Sequence, residues 1–199
     1  MDREQIQEMF SEPPVIYSER LIFRKITPAD ALDMYEYSSD PEVTKYLTWE
    51  PHASLHYTKK YIKDLQRAYK NGIYYDWALV IRSSGKMIGT CGFTSFTYEN
   101  DSCEIGYVLN PAYHGRSFAT EAAGRVIDYA FNVLGAALVS ARCAPENTAS
   151  RRVMEKCGMI HEYDIEHGAI KQRRFIRVSR YAISKERYFL LKQIGKTGI

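Results

Sequence analysis

Between Glu104 and Ala122 the chain changes character twice. The run Glu104-Ile105-Gly106-Tyr107-Val108-Leu109-Asn110-Pro111 reads as a strand that ends in a turn. A helix-like run follows through Tyr113-His114-Gly115-Arg116-Ser117-Phe118-Ala119-Thr120-Glu121-Ala122. The junction is short, polar and glycine-bearing. That geometry aims several backbone N–H groups and the positive end of a helix dipole at one spot. Such a spot binds phosphate, so a phosphate-bearing cofactor is expected there.

The flanking elements must hold this junction in place. Arg20–Ile26 reads as a strand, and Thr27-Pro28 opens a helix over Ala29–Ser39 by the cap-then-proline rule. Asp40-Pro41-Glu42-Val43 opens a second short helix in the same way, and Ser54–Tyr69 reads as a third. The period then changes. Tyr74–Arg82, Met87–Thr97 and Ser102–Leu109 are strands joined by short turns, an antiparallel meander. Ala119–Leu134 has the clearest helical pattern, with Ala122, Val126, Ile127, Ala130 and Phe131 on one face. As a crossover it makes strands Ser102–Leu109 and Ala137–Cys143 parallel. Asn147–Lys156 is a short helix, Met159–Ile165 and Phe175–Ser184 pair as a closing hairpin, and Lys185–Ile194 is a tail helix. The fold class is α/β: a mixed, mostly antiparallel sheet with one parallel pair and helices on both faces. Residues 1–17 are expected as a polar N-terminal extension, 18–189 as a single domain and 190–199 as a C-terminal tail.

The 199 residues, 45% hydrophobic and 26% charged, suit one soluble domain. A net charge of +3 does not by itself imply nucleic-acid binding. Cys91, Cys103, Cys143 and Cys157 lack metal-ligand spacing and follow no signal peptide, which points to free thiols, a cytoplasmic setting and no metal. No apolar run reaches the length needed to cross a bilayer.

The order of these elements resembles the GNAT superfamily of acyl-CoA-dependent N-acetyltransferases, over about Ser18 to Phe189. The matching residues are Ser18-Glu19-Arg20-Leu21, Ser39-Asp40-Pro41-Glu42-Val43, Ile88-Gly89, Gly92-Phe93 and Glu104-Ile105-Gly106-Tyr107. Ala119-Thr120-Glu121-Ala122 and the run Asn147–Met159 complete the set. Within the superfamily the chain looks most like the ribosomal-protein N-terminal acetyltransferase branch. The resemblance implies acetyl-CoA between the two parallel strands, which splay apart, and its pyrophosphate on His114, Gly115, Arg116, Ser117, Phe118, Ala119 and Thr120. It also implies that Tyr107, Val108 and Leu109 line the cofactor and that the N–H of Val108 or Leu109 holds the oxyanion. The family's loop pattern is met here by His114, Ser117 and Ala119, of which only Ala119 fits. Ser117 stands where glycine is usual and resists positive φ, so a weaker grip on the cofactor is expected.

Acetyl transfer to an amine needs a base, a holding site, an oxyanion donor and a proton for the thiolate. By resemblance, Ser150 supplies that proton, because Met154 stands where other members carry a tyrosine. Asn147 bonds the pantetheine arm, caps its helix, or does both. Glu104 is the first candidate for the base, acting through water, and Asp76 the second. Tyr46, Trp49, Glu50 and Asp76 are expected around the acceptor amine; His52 and His114 read as surface histidines. The acceptor is a protein N-terminus such as that of a ribosomal protein, or else a small amine or aminoglycoside. Two rivals are a CoA-binding sensor without turnover and an RNA-binding module built on the basic run Lys171–Arg180, which a solvated sheet edge explains more simply. No stable nucleic-acid or membrane partner is expected. The tail from Lys185 packs on its own sheet or on a second copy, as in a homodimer.

Overall fold

The computed structural model describes residues 1–195. One sheet carries eight strands in the order β1-β2-β3-β4-β5-β6-β8-β7. They are β1 Ile16–Tyr17, β2 Leu21–Arg24, β3 Tyr75–Ile81, β4 Met87–Thr97, β5 Ser102–Leu109, β6 Leu138–Cys143, β7 Ile160–Lys171 and β8 Arg174–Ser184. Every neighbouring pair is antiparallel except β5 and β6. The helices are α1 Arg3–Ser11, α2 Ala31–Ser38, α3 Pro41–Thr44, α4 Leu55–Lys70, α5 Phe118–Asn132, α6 Thr148–Lys156 and α7 Lys185–Gln193.

Strand alternation divides the sheet into two faces. One buries Ala78 and Val80 under α2 and α4, which contribute Met34, Tyr37, Ile62 and Leu65. The other buries Trp77, Leu79, Cys91 and Ile105 under α1, α5, α6 and α7. On α5 the buried Val126, Ile127 and Phe131 each contribute about 1.5–3 kcal/mol. The meander β3–β4–β5 and the parallel pair follow the expected order, and helices cover both faces.

Two segments differ from expectation, and the tail follows the first of its two alternatives. Residues 1–17 carry α1, whose Phe10 is fully buried, with its ring edge-on to Trp77 at 4.9 Å. Two buried positions four apart, Ile6 and Phe10, do this work in α1. The closing hairpin is longer than expected: β7 continues to Lys171 and turns through Gln172 and Arg173, both at positive φ (49° and 62°). The tail helix packs on its own domain. The Tyr188 ring lies 5.1 Å from Phe131, and its hydroxyl donates to Asp128 at 2.6 Å. Ile194, which ends the helix, is exposed. The tail's last four residues lie outside the described part.

Candidate active site

β5 and β6 pair over only three positions, Ser102↔Leu138, Cys103↔Val139 and Glu104↔Ser140. β5 then stays with β4 as far as Leu109, and β6 with β8 as far as Cys143, so the two strands part beyond Glu104. Each is held on its far side, and the gap is a built feature. The Asn110 N–H donates to the Ile88 carbonyl at 2.8 Å. Bonding alternates along an antiparallel ladder, so the Val108 N–H faces β4 while those of Tyr107 and Leu109 face the gap. Of the two expected oxyanion donors, the geometry leaves Leu109. His114 Nε2 lies 3.0 Å from the Leu109 carbonyl oxygen. A carbonyl only accepts, so that nitrogen carries the proton. His114 itself is exposed, as expected.

The turn before α5 is left-handed at Gly115 (φ 71°) and Ser117 (φ 63°). Ser117 therefore adopts the conformation its Cβ disfavours, at about 1–2 kcal/mol. The N–H groups of Phe118, Ala119 and Thr120 open the helix and have no intrahelical partner. The Arg116 guanidinium stands over the Tyr113 and Phe118 rings beside them. Glu121 ties this turn to the start of β2. It accepts from Ser18 Oγ at 2.7 Å, the Arg20 N–H at 2.8 Å and Arg20 Nε at 2.7 Å, while Arg20 Nη1 donates to the Arg116 carbonyl. Burial opposes ionisation of Glu121, but these bonds outweigh it and its pKa is lowered.

Across the gap, Asn147 caps α6: its Oδ1 accepts the Ser150 N–H at 3.1 Å. The Ser150 hydroxyl lies 2.9 Å from the Tyr107 hydroxyl, which also reaches the Ser150 carbonyl at 3.0 Å. Burial raises the Tyr107 pKa. Cys143, at the free end of β6, is pushed up to about 11, chiefly by burial. Met154 points into the core at 1% exposure.

The two candidate bases differ. Glu104 forms a bidentate pair with Arg142 (Nε–Oε2 2.7 Å, Nη2–Oε1 2.9 Å) and accepts from Thr94 Oγ1 at 3.1 Å. Arg142 also donates to the Gly168 carbonyl on β7. Both oxygens of Glu104 are engaged, which suits a strut better than a base. Asp76 has no cation within 4.0 Å among the described residues. Its Oδ2 accepts from the Tyr74 hydroxyl at 3.3 Å, and its main-chain carbonyl accepts from the Tyr69 hydroxyl at 2.7 Å. Burial pushes the Asp76 carboxyl up to about 7. Opposite it, Gly92 permits a close approach, since a Cβ there would sit 2.5 Å from Asp76 Oδ1.

Asp76 lines a cavity of ≈ 70 Å³ with Thr90 and Val108 on the sheet and Tyr37, Trp49 and Tyr61 above. Of the four expected acceptor residues, Trp49 and Asp76 meet here. Tyr46 and Glu50 do not. Tyr46 borders a second cavity of ≈ 300 Å³ with Lys45 and Lys171, and Glu50 accepts from Gln172 at 3.4 Å. His52 is buried, not on the surface. Its Nδ1 lies 2.9 Å from both Ser38 Oγ and Thr58 Oγ1, and burial lowers its pKa. Sequence reasoning missed Arg142, Thr94, Tyr37, Tyr61 and Tyr74; the sixteen tyrosines were the one available signal. On the basic strand, Arg177 and Arg180 are paired with carboxylates of β7. β8 lies between β6 and β7, so the strand is not the sheet edge expected for it, and its charges are met by its neighbour. Among the described residues no metal-binding cluster occurs, and no helix is long and apolar enough to cross a membrane.

A family model described as an acetyltransferase (GNAT) domain matches residues 20–160. An uncharacterised N-acetyltransferase of Bacillus licheniformis, p20, is 33% identical over 87% of this chain and 97% of its own length. A GNAT-family acetyltransferase from Bacillus anthracis superposes with a TM-score of 0.77 at 29% identity, over 87% of this chain and 99% of that one. A ribosomal L7/L12 α-N-protein acetyltransferase in complex with coenzyme A shares the fold (TM-score 0.71, 18% identity, 86% and 98% covered).

Proposed function

This chain belongs to the GNAT family of N-acetyltransferases, and on that premise we propose that it transfers the acetyl group of acetyl-CoA directly to a primary amine bound in the Asp76 cavity. One observation carries the reading. The parted β5–β6 gap and the Asp76 cavity meet at the end of β5, with Leu109 facing the first and Val108 lining the second.

Acetyl-CoA supplies an activated thioester. The N–H groups of residues 118–120, with Arg116, hold its diphosphate, and the positive φ of Ser117 aims them. Leu109 donates its N–H to the carbonyl oxygen as negative charge grows there. The amine nitrogen, once its ammonium proton has passed to solvent water, bonds to the carbonyl carbon as the carbon–sulfur bond breaks. Ser150, oriented by Tyr107 and by the Asn147 cap, gives its proton to the departing sulfur and recovers one from the new amide nitrogen. Asn147 Nδ2 stays available to the pantetheine arm, because the cap uses only Oδ1. Ser150→Ala is expected to lower kcat about 100-fold while CoA affinity by calorimetry stays within about threefold. An unchanged kcat removes Ser150 from the reaction.

A protein N-terminal α-amine, as of a ribosomal protein, is one acceptor. The likeness to the ribosomal enzyme is one of fold. The narrow cavity, roofed by aromatic rings and floored by a carboxylate, favours a small cationic amine. Thiol release across a panel of N-terminal peptides and small amines decides between them. Small amines are expected to give kcat/KM at least about tenfold higher, and a preference for peptides reverses the assignment.

A further inference from the structure

The cavity has two ends. Asp76 lies across β4 from Gly106: Asp76 pairs with Gly92, and Gly92 with Gly106. Val108, at the other end, pairs with Thr90, which pairs with Ala78. The two positions are therefore two strand spacings apart and two residues offset along the strands. At about 4.8 Å per spacing and 3.4 Å per residue, their Cα atoms stand roughly 12 Å apart. That separation is too long for Asp76 to take a proton straight from an amine poised at Leu109. It suits a group that holds the far end of the acceptor.

The walls fit a cation. Tyr37 and Tyr61 border the cavity with Trp49, Tyr74 donates to the carboxylate, and no lysine or arginine among the described residues neutralises it. Aromatic faces and an unpaired carboxylate together are the chemistry that recognises an ammonium group. A single amine bound at Asp76 would stop short of the gap.

We propose that Asp76 and its tyrosine wall form a subsite for a second ammonium group, so that the acceptor is an extended aliphatic diamine or polyamine. One amine seats on Asp76 while the other reaches the thioester. This rests on the small-amine reading above and names its substrate class. No bond is made or broken at Asp76; its task is to position.

The electrostatics give the subsite a signature. Burial holds the empty carboxyl near 7, and an arriving ammonium favours its ionised form. Diamine binding near neutral pH therefore releases a proton and tightens as pH rises from 6 to 8. The titratable groups around Asp76 are Tyr74, Tyr69 and Tyr61 from the α4 side, Tyr37 from α2, Cys91 from β4 and His52 from the roof. Burial holds the tyrosines and Cys91 neutral in that range, and burial lowers the His52 pKa, which favours the neutral ring.

The test uses 1,5-diaminopentane and n-pentylamine with the whole protein. Calorimetry in the presence of CoA, in two buffers of different ionisation enthalpy, reads affinity and proton release. Thiol release with acetyl-CoA reads turnover. The expected result is diamine binding at least about tenfold tighter than the monoamine, with a proton released. Asp76→Asn should bring the ratio close to one, and Tyr74→Phe should lower it less. Thermal melting confirms that both variants fold. Equal affinities for the two amines, or a ratio untouched in Asp76→Asn, overturns the subsite. Asp76-dependent diamine binding without thiol release keeps the subsite and overturns the transferase reading instead.

Discussion

Asp76 and Glu104 stand on the same face of one sheet, on strands separated only by β4, and their surroundings are opposite. Glu104 is gripped by Arg142 and Thr94, so its charge is spent inside the protein. Among the described residues the Asp76 carboxylate accepts from the Tyr74 hydroxyl and meets no cation, and its charge is left to whatever enters the cavity. A carboxylate on a cleft wall is therefore not a candidate base by virtue of its type. What matters is whether its lone pairs are already taken and how far it lies from the reacting atoms.

The largest effect expected from this contrast is on stability. The Asp76 carboxyl titrates at about 7 in the fold and at an ordinary 3.8 in the unfolded chain. The native state then holds the proton more firmly. The stability this contributes is present below about pH 4 and is lost as pH rises through about 7. Relative to Asp76→Asn, the wild-type protein should lose about 1–3 kcal/mol between pH 5 and 8, allowing for the partial exposure of the side chain. Melting curves of the two proteins that run parallel across that range erase the contrast. A smaller effect is expected at the other carboxylate. Glu104→Gln and Arg142→Met should each cost about 1 kcal/mol, with a coupling of similar size in the double variant. Their turnover should fall by one factor at pH 7 and pH 9 alike. A Glu104→Gln defect that fades at pH 9 restores Glu104 as the base. The smallest effect belongs to the turn before α5. Ser117→Gly relieves a left-handed serine and should stabilise by up to about 1 kcal/mol, with CoA held as tightly or more so. Weaker CoA binding in that variant makes the Ser117 hydroxyl a ligand.

Local signals carried the frame of this cleft. β4 and β5 were bounded by turn residues at Ser83–Lys86 and Tyr98–Asp101, and the apolar stripe of α5 gave the crossover from which the parallel pair follows. What stayed hidden depends on register between distant segments. Glu104 and Arg142 are 38 residues apart and meet because Glu104 faces Ser140 across the short parallel ladder. His52 reads as a surface residue, yet the rings of Trp49, Tyr57 and Tyr61 enclose it while Ser38 and Thr58 satisfy its Nδ1. The tip of the β7–β8 hairpin was illegible for another reason. Gln172 and Arg173 carry no turn signature, although both take the left-handed conformation such a turn requires.

That tip has one more consequence. Lys171 Nζ donates to the main-chain carbonyls of Thr44 and Lys45, at 2.5 and 2.7 Å. Every residue owns such an oxygen, so the clasp is blind to which side chains occupy positions 44 and 45. The Thr44–Lys45 segment beside the second cavity can drift in sequence while its fastening stays intact, whereas a change at Lys171 itself undoes both bonds at once.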